Sequence, residues 1–114
     1  MVTLAAARVV LVRFPFSDLS QTKLRPEVVL AGVGRGDWIL CQVTSRPYGD
    51  AQAIALNDRS FAVGSLRVDS YARPGKLFTA NQSLIVAEVG SLKPDPFAQV
   101  IKAVVSILQS SLQL

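Results

Sequence analysis

Histidine is absent from this chain of 114 residues, and cysteine occurs once, at Cys41. Without an imidazole the chain has no Ser-His-Asp triad and no histidine-ligated metal. One thiol forms no internal disulfide and completes no zinc site built from cysteine and histidine. Catalysis would therefore rely on carboxylates, guanidinium groups, amines, hydroxyls or the single thiol, and no metal or other cofactor is expected. Cys41 lies in an apolar stretch, which favours a small core residue over a nucleophile.

Charged residues and long apolar runs are also scarce. Charged residues make up 18% of the chain, and its net charge of +4 is a weak indication of a nucleic-acid partner. No apolar run reaches the roughly 18 residues of a transmembrane helix. Arg8 and Arg13 interrupt the apolar N-terminus, which argues against a signal peptide. We expect a cytoplasmic protein with no membrane partner, folded as a single domain over residues 1–114.

Short β-branched segments separated by glycine and proline predict an all-β body, a small barrel or sandwich. Strands are expected at 9–14, 27–32, 38–44, 53–56, 65–68, 77–80 and 83–89, with loops or turns at 17–23, 32–37, 46–50 and 71–76. Asp95 as the N-cap and Pro96 at the first helical position predict a closing helix over about 96–112. Its apolar face would comprise Phe97, Val100, Ile101, Val104, Ile107, Leu108 and Leu112.

Two strand ends carry groups suited to a phosphate. Arg25 stands before Pro26 where a polar loop meets a strand, and its guanidinium could bind a phosphate through forked donors. Thr44 and Ser45 close another strand, and their hydroxyls could donate to phosphate oxygens. The alternative interpretations are a solvated surface arginine and an ordinary strand terminator.

Arg67 and Asp69 stand two residues apart on a predicted strand, which would place both side chains on one face. The carboxylate could accept a proton while the guanidinium offsets phosphate charge. The alternative is a surface ion pair that contributes almost nothing to stability.

Aromatic side chains alternate with cations elsewhere in the chain. Such interleaving could stack the bases of single-stranded nucleic acid, or it could reflect ordinary barrel packing. The polar loop Ser17–Lys23 could gate a groove. The aromatic residues are Tyr48, Tyr71 and Phe78, and the cations are Arg46, Arg73 and Lys76.

Taken in order, five segments resemble the MazF/PemK-like toxin family of bacterial toxin–antitoxin systems. They are an opening strand and loop over 9–19, an Arg-Pro signature with its apolar strand over 23–30, a Thr-Ser strand end at 42–45, an Arg-x-Asp segment at 64–69, and Val89-Gly90-Ser91-Leu92 before the helix. Together they extend over roughly residues 8–113. The ordered set, rather than any single motif, carries the resemblance.

The resemblance implies an SH3-like β-barrel with a C-terminal helix that forms a homodimer. It implies a metal-independent, sequence-selective endoribonuclease that cleaves single-stranded RNA, including mRNA, by attack of the neighbouring 2′-hydroxyl, leaving a 2′,3′-cyclic phosphate. A cognate antitoxin peptide would neutralise it, and DNA would be bound only through the antitoxin complex.

The resemblance also assigns roles to residues. Arg25 would stabilise the phosphate or act as the acid, and Thr44 would donate a hydrogen bond to it. Arg67 and Asp69 would form the PemK-type pair, with Asp69 as the base. Ser45, Arg46, Tyr48, Arg73 and Lys76 are expected to bind RNA.

The sequence departs from the family pattern at several positions. Glu27 follows Pro26 where a small apolar residue is common, and a carboxylate so close to Arg25 could pair with it and weaken a phosphate contact. The PemK-type histidine of the first loop has no counterpart, and Arg73 and Lys76 align only across a gap. A catalytically weak or inactive module that binds nucleic acid or an antitoxin peptide is therefore the alternative. A third interpretation is a barrel subunit that uses its apolar helix only for assembly.

Overall fold

The computed structural model describes residues 4–15 and 22–112, which form seven strands and one α-helix. The strands are β1 Arg8–Pro15, β2 Thr22–Gly34, β3 Asp37–Thr44, β4 Ile54–Leu56, β5 Phe61–Gly64, β6 Ser70–Asn81 and β7 Ile85–Leu92. Short 3-10 helices at Asp58–Ser60 and Gln82–Leu84 precede β5 and β7, and α1 spans Pro94–Gln109. Residues 17–21 of the predicted polar loop lie outside the described residues, and Thr22 and Lys23 belong to β2.

All seven strands belong to one antiparallel sheet in the order β4-β6-β3-β2-β1-β7-β5. The sheet curls into a half-barrel, so the predicted mainly-β class with a C-terminal helix is confirmed. The long strands β2 and β6 contain or adjoin register shifts, which let them bend with the curl.

Alternation along the central strands separates the core into two clusters. Val9, Val28 and Cys41 belong to the cluster that α1 covers through Val100, while Val10, Val29 and Leu40 belong to a cluster with Trp38 and Phe78. Neighbouring residues of a strand point to opposite faces, so each central strand is buried on both sides. This agrees with the lack of alternation in the sequence of β3 before Gln42.

The C-terminal helix forms, but its start and its buried face differ from expectation. It begins at Pro94 with Lys93 as an N-cap that makes no side-chain hydrogen bond, so Asp95 lies within the first turn instead of capping it. Phe97, Ile101 and Val104 pack on the core as predicted. The helix ends at Gln109 rather than at about 112, so Leu112 lies beyond it, and both Leu108 and Leu112 are exposed.

Two predictions near the candidate site are wrong, one of a strand and one of a loop. Residues 65–69 follow β5 as irregular chain rather than forming a strand, whereas the predicted loop 71–76 lies inside β6. Pro74 is fully buried in β6, where β3 and β6 shift register between Cys41 and Val43. Such an irregularity accommodates a proline, which has no backbone N–H for the ladder.

Gly64 turns the chain out of β5. Its φ of +68° is in the left-handed region, and a Cβ there would overlap the carbonyl oxygen of Val89 on β7. Only glycine tolerates both conditions. The chain therefore leaves β5 at Gly64 and enters the segment 65–69, which forms one wall of the candidate site.

Candidate active site

Three separate parts of the chain line a surface cavity of about 320 Å³. The start of β2 contributes Arg25, the end of β3 contributes Thr44 and Ser45, and the chain before β6 contributes Arg67. The structure thus brings together four residues singled out in the sequence. The other lining residues are Lys23, Leu24, Pro26, Val43, Leu66, Val68 and Ser70.

Strand register explains why Arg25 and Thr44 meet. Glu27 on β2 lies opposite Gln42 on β3 in an antiparallel pair. Continuing that register by two residues sets Arg25 opposite Thr44, and alternation puts both on the face that carries Glu27 and Gln42. Arg25 and Thr44 are half-buried, so they form the inner part of a site that Lys23, Ser45 and Arg67, all exposed, surround.

The Thr44 hydroxyl takes part in a local turn. Its Oγ1 accepts a hydrogen bond from the Arg46 backbone N–H and lies 3.1 Å from both that nitrogen and the Arg46 carbonyl oxygen. A hydroxyl can rotate its single proton between acceptors. Thr44 can therefore donate to a phosphate oxygen in the cavity while its oxygen continues to accept from Arg46.

Arg67 and Asp69 do not share a strand face. Arg67 lines the cavity, whereas Asp69 is exposed and is not part of the lining. The two-residue spacing predicted a common face only because a strand was assumed, and residues 65–69 are irregular. Ser70, which is 4% exposed, fixes this wall by donating from Oγ to the Val68 carbonyl oxygen at 2.9 Å.

Arg46, Tyr48 and Arg73 lie beside the β3 end of the cavity. Arg46 is exposed, and Tyr48, which is 74% exposed, stands in a turn with φ of +55°. Arg73 donates from Nε to Asp50 Oδ2 at 3.0 Å, and its guanidinium carbon lies 6.0 Å from the Tyr48 ring centroid. The hydrogen bond from Arg73 holds the pKa of the Asp50 carboxyl below its usual range, and the backbone N–H of Gln52 contributes as well.

Lys76 lies at a second, smaller cavity of about 200 Å³, which Gln42, Leu77 and Phe78 also line. Gln42 and Thr44 are successive residues on the same face of β3, so the two cavities follow one another along that strand. The second cavity combines an aromatic ring, an amide and a cation.

A buried carboxyl group lies next to the first cavity without lining it, two residues after Arg25 on β2. Glu27 is 0% exposed, and neither of its side-chain oxygens has a hydrogen-bond partner. Burial raises the pKa of Glu27 to about 8, against the lowering effect of the Arg25 charge. The hydrogen-bonded pair between Glu27 and Arg25 that the sequence suggested is therefore not formed.

Cys41 is fully buried, and its thiol donates to the Arg73 carbonyl oxygen at 3.2 Å. Burial, and to a smaller extent the nearby Glu27, raises the pKa of this thiol to about 12. A neutral buried thiol is a weak nucleophile, which fits the expected packing role.

Neither a metal cluster nor a membrane span is found among the described residues. No three acidic or cysteine side chains within 4–15 and 22–112 are arranged to hold a metal ion. Over the same ranges, no helix combines the length and apolar character needed to cross a bilayer.

Comparison with solved structures identifies the fold. A crystal structure of MazF from Deinococcus radiodurans superposes with a TM-score of 0.74 at 21% identity, over 95% of this chain and 98% of that one. An endoribonuclease bound to its cognate antitoxin, from a mycobacterial species, gives 0.71 at 12% identity over 95% of each chain. The chain has the MazF fold. The Mycobacterium tuberculosis toxin MazF-mt6 gives 0.69 at 14% identity, over 90% of this chain and 96% of that one.

Sequence comparison adds nothing to the structural match. No protein-family model matches the chain, and no curated protein does. The MazF fold is therefore recognised here through strand order and curvature, and through the short segments that mark its strand ends.

Some residues of the site in this MazF fold were not singled out individually from the sequence. Lys23 and Ser70 line the first cavity, and Gln42 lines the second. Gln42 had one available signal, because it is the first polar residue after the apolar run that begins at Trp38. Ser70 had none, since its position depends on the irregular path of residues 65–69.

Proposed function

We propose that this protein is a toxin of a type II toxin–antitoxin system that cleaves single-stranded RNA without a metal ion. The observation that carries the proposal is the convergence of Arg25, Thr44, Ser45 and Arg67 on one cavity of a MazF fold. The three solved proteins described above are a MazF, an endoribonuclease and the toxin MazF-mt6, which supports this proposal.

The proposed reaction uses groups of the cavity and its rim, the RNA and water. A base removes the proton of the 2′-hydroxyl, the 2′-oxygen attacks the adjacent phosphorus, and the bond to the 5′-oxygen breaks. The departing 5′-oxygen takes a proton from water, so the products are a 2′,3′-cyclic phosphate and a 5′-hydroxyl. Arg25 and Arg67 offset the charge that develops on the phosphorane, and Thr44 donates a hydrogen bond to it.

The groups for proton transfer are less completely assembled in this site than the groups for phosphate binding. Asp69 is the proposed base and would act from the rim, because its neighbours Val68 and Ser70 line the cavity while it does not. Arg25 stays protonated near neutral pH, so its contribution to departure of the 5′-oxygen is a hydrogen bond rather than a full proton transfer.

The RNA is proposed to follow β3 from the first cavity to the second. Phosphates would lie near Arg25 and Lys76, and a base would stack on Phe78 or on the exposed ring of Tyr48. Ser45 and Arg46 would contact the strand where it passes the end of β3. Arg73 is held by Asp50, so its proposed role is to support the Tyr48 ring as well as to attract the backbone.

The decisive experiment is cleavage of a mixed-sequence, single-stranded RNA in EDTA, with the product ends analysed by mass spectrometry. We expect cyclic phosphate ends from the wild-type protein. Arg25→Ala should lower the cleavage rate by about 100-fold or more, because it removes a preorganised donor to the phosphorane. Arg59→Ala is the matched control, since Arg59 is exposed on a 3-10 helix and does not line either cavity.

A second candidate function, an RNA- or antitoxin-binding module without cleavage, is favoured by two observations. The Thr44 hydroxyl is engaged with Arg46, and Asp69 does not line the cavity. If the wild-type protein retains RNA but leaves every sequence uncut, this second function is the right one, and Arg25→Ala should then weaken binding alone.

An antitoxin peptide and a second copy of the chain are the proposed protein partners, with DNA bound through the antitoxin complex. The structures that share this fold include MazE–MazF complexes from Deinococcus radiodurans. Exposed Val105 and Leu108 near the end of α1, with Leu112 just beyond it, offer apolar side chains for assembly. Light scattering of the wild-type protein should give twice the monomer mass, and Leu108→Ser should lower it towards the monomer mass. A wild-type monomer would contradict dimerisation, and a Leu108→Ser dimer would contradict dimerisation through this surface.

A further inference from the structure

Beside the Arg25–Thr44 site, a buried glutamate and a half-buried glutamine lie directly opposite one another on β2 and β3. Glu27 on β2 pairs with Gln42 on β3, and both Glu27 oxygens and Gln42 Oε1 are buried without a hydrogen-bond partner. Buried polar atoms are nearly always paired, so an exception such as this calls for a physical explanation. Stability does not explain it, because an apolar residue at position 27 would continue the cluster of Val10, Val29 and Leu40.

Arg25 is the cation that acts on this carboxyl group. It stands two residues before Glu27 on the same strand, so both side chains leave the same face of β2. The positive charge of Arg25 lowers the Glu27 pKa, which places the two groups within electrostatic reach of each other. Arg25 lines the open cavity, whereas Glu27 is buried and does not line it, so Arg25 is the member of this pair that can meet a phosphate in the cavity as well as the buried acid.

The neighbouring strands add no second cation at Glu27 among the described residues. The residue opposite it on β1 is Val10, and the Arg8 guanidinium of that strand is bound to Glu88 at 2.7 Å. On β3 the facing group is the neutral amide of Gln42; the adjacent Cys41 thiol, which points to the other face of the sheet, stays neutral because its pKa is about 12.

We propose that Glu27 is a positioning residue for Arg25, which leaves the guanidinium at the cavity while the carboxyl is neutral and draws it inward when the carboxyl is ionised. This inference rests on the proposed function, because it assigns a control on phosphate binding to the same site. A buried carboxylate needs a cationic partner, and a bound phosphate would compete with it for the same guanidinium. Neutral Glu27 does not compete, so the RNA-binding state is the one with its proton in place.

The pH range of this control follows from the environment of Glu27. Its pKa of about 8 keeps the carboxyl mainly neutral near pH 7 and mainly ionised near pH 9. If only the neutral form leaves Arg25 at the phosphate, kcat/KM should fall about tenfold between about pH 7 and pH 9, as for any single titrating group one unit above its pKa. The loss should appear in both KM and kcat, because Arg25 binds the phosphate and also offsets the charge that develops on the phosphorane.

The first test uses the free protein and needs no cleavage. In isotope-labelled wild-type protein, the Arg25 Nε–H resonance should shift with a midpoint near pH 8, together with the side-chain carboxyl resonance of Glu27. In Glu27→Gln, which keeps the shape of the neutral acid, the Arg25 shift should vanish. An Arg25 resonance that is unaffected while Glu27 titrates, or that titrates equally in Glu27→Gln, would overturn the proposal.

The second test measures cleavage of a fluorescent single-stranded RNA from about pH 6 to pH 9. Glu27→Gln should match the wild type near pH 7 and keep its KM at pH 9, whereas the control Glu88→Gln should lose activity as the wild type does. Glu88 is an exposed glutamate on β7, paired with Arg8 and outside both cavities. Glu27→Val provides a second variant without a titrating group, should the amide be poorly accommodated.

The two proposals fail in distinguishable ways. Absence of cleavage at every pH, with the Arg25 resonance still titrating through Glu27, rejects the ribonuclease function and leaves the positioning role in place. Cleavage with the same alkaline loss in wild type, Glu27→Gln and Glu27→Val rejects the positioning role and leaves the ribonuclease function in place.

Discussion

Two polar pairs span the same two strands, and they differ chiefly in the solvent access of their oxygen atoms. Arg25 and Thr44 border an open cavity, whereas two residues further along β2 Glu27 is fully buried, and opposite it on β3 the half-buried Gln42 has its Oε1 buried; none of these buried oxygens has a hydrogen-bond partner in the described structure. The side chains of the open pair can hydrogen-bond to water, to local backbone or to a ligand, so their polar groups cost little folding free energy. The closed pair is held at a cost to stability, because burial removes hydration that nothing in the described structure replaces.

This contrast separates binding groups from control groups. Residues that contact a substrate must reach solvent, and Arg25 and Thr44 do. A buried acid does not reach the substrate, so it acts only through a neighbour, and Arg25 is the neighbour within reach. Substitutions in the closed pair, Glu27 and Gln42, should therefore have the largest effects, those in the open pair, Arg25 and Thr44, intermediate effects, and those at the rim of the cavity the smallest.

The largest effect is expected for Glu27→Val, measured as the free energy of unfolding across pH. The folded pKa of Glu27 is about 8 and its ordinary value is 4.5, so between those values the unfolded chain releases a proton that the folded chain retains. Wild-type stability should therefore fall as pH rises from about 5 to about 8, by roughly 5 kcal/mol in total, and then level off.

Glu27→Val lacks this titration and should be the more stable protein above about pH 6. Urea unfolding at several pH values measures both curves, with Glu88→Gln as a control that should follow the wild type. If the free energy of unfolding varied with pH in the same way for wild type and Glu27→Val, Glu27 would have to be solvated or paired in solution.

An intermediate effect is expected for Thr44→Val in the open pair. The substitution keeps the shape of the side chain and removes the hydroxyl, so the cleavage rate should drop by about 100-fold through the loss of one donor to the phosphorane. Stability should fall by about 1 kcal/mol, because the Arg46 N–H loses its acceptor. Thr44→Ser restores both functions of the hydroxyl; if it cleaves as slowly as Thr44→Val, the hydroxyl is not the active group.

The sequence predicted the parts of this fold that depend on local pattern. Apolar, β-branched segments bounded by glycine and proline located β1, β2 and β3, and the three- to four-residue spacing of Phe97, Ile101 and Val104 located the helix. The meeting of Arg25 and Thr44 depends on antiparallel register, which no local pattern specifies. Their pairing was suggested by the resemblance to a family and is accounted for by the pairing of Glu27 with Gln42.

The failures share a physical cause, which is the dominance of tertiary packing over local signals. Pro74 and Gly75 are typical of a loop, yet they lie in β6 because that strand is long and bends where its register with β3 shifts. Residues 65–68 have strand propensity, yet β5 ends at Gly64 where the approach of β7 leaves space for glycine alone. The burial of Glu27 was likewise unpredictable, since a glutamate after Arg-Pro is usually solvated.

The smallest effect is expected at the rim, for Asp50→Asn. The hydrogen bond from Arg73 lowers the pKa of the Asp50 carboxyl, which therefore stays ionised to lower pH than usual and, at neutral pH, holds Arg73 and adds a negative charge beside Tyr48. Removing that charge should tighten binding of single-stranded RNA by about threefold and steepen its salt dependence slightly, because Arg73 then acts on the phosphate backbone. Asp58→Asn is the matched control, being an exposed aspartate on the 3-10 helix before β5. Fluorescence anisotropy at several salt concentrations measures both quantities, and weaker binding by Asp50→Asn would show that Asp50 orients Arg73 and Tyr48 for RNA rather than opposing it.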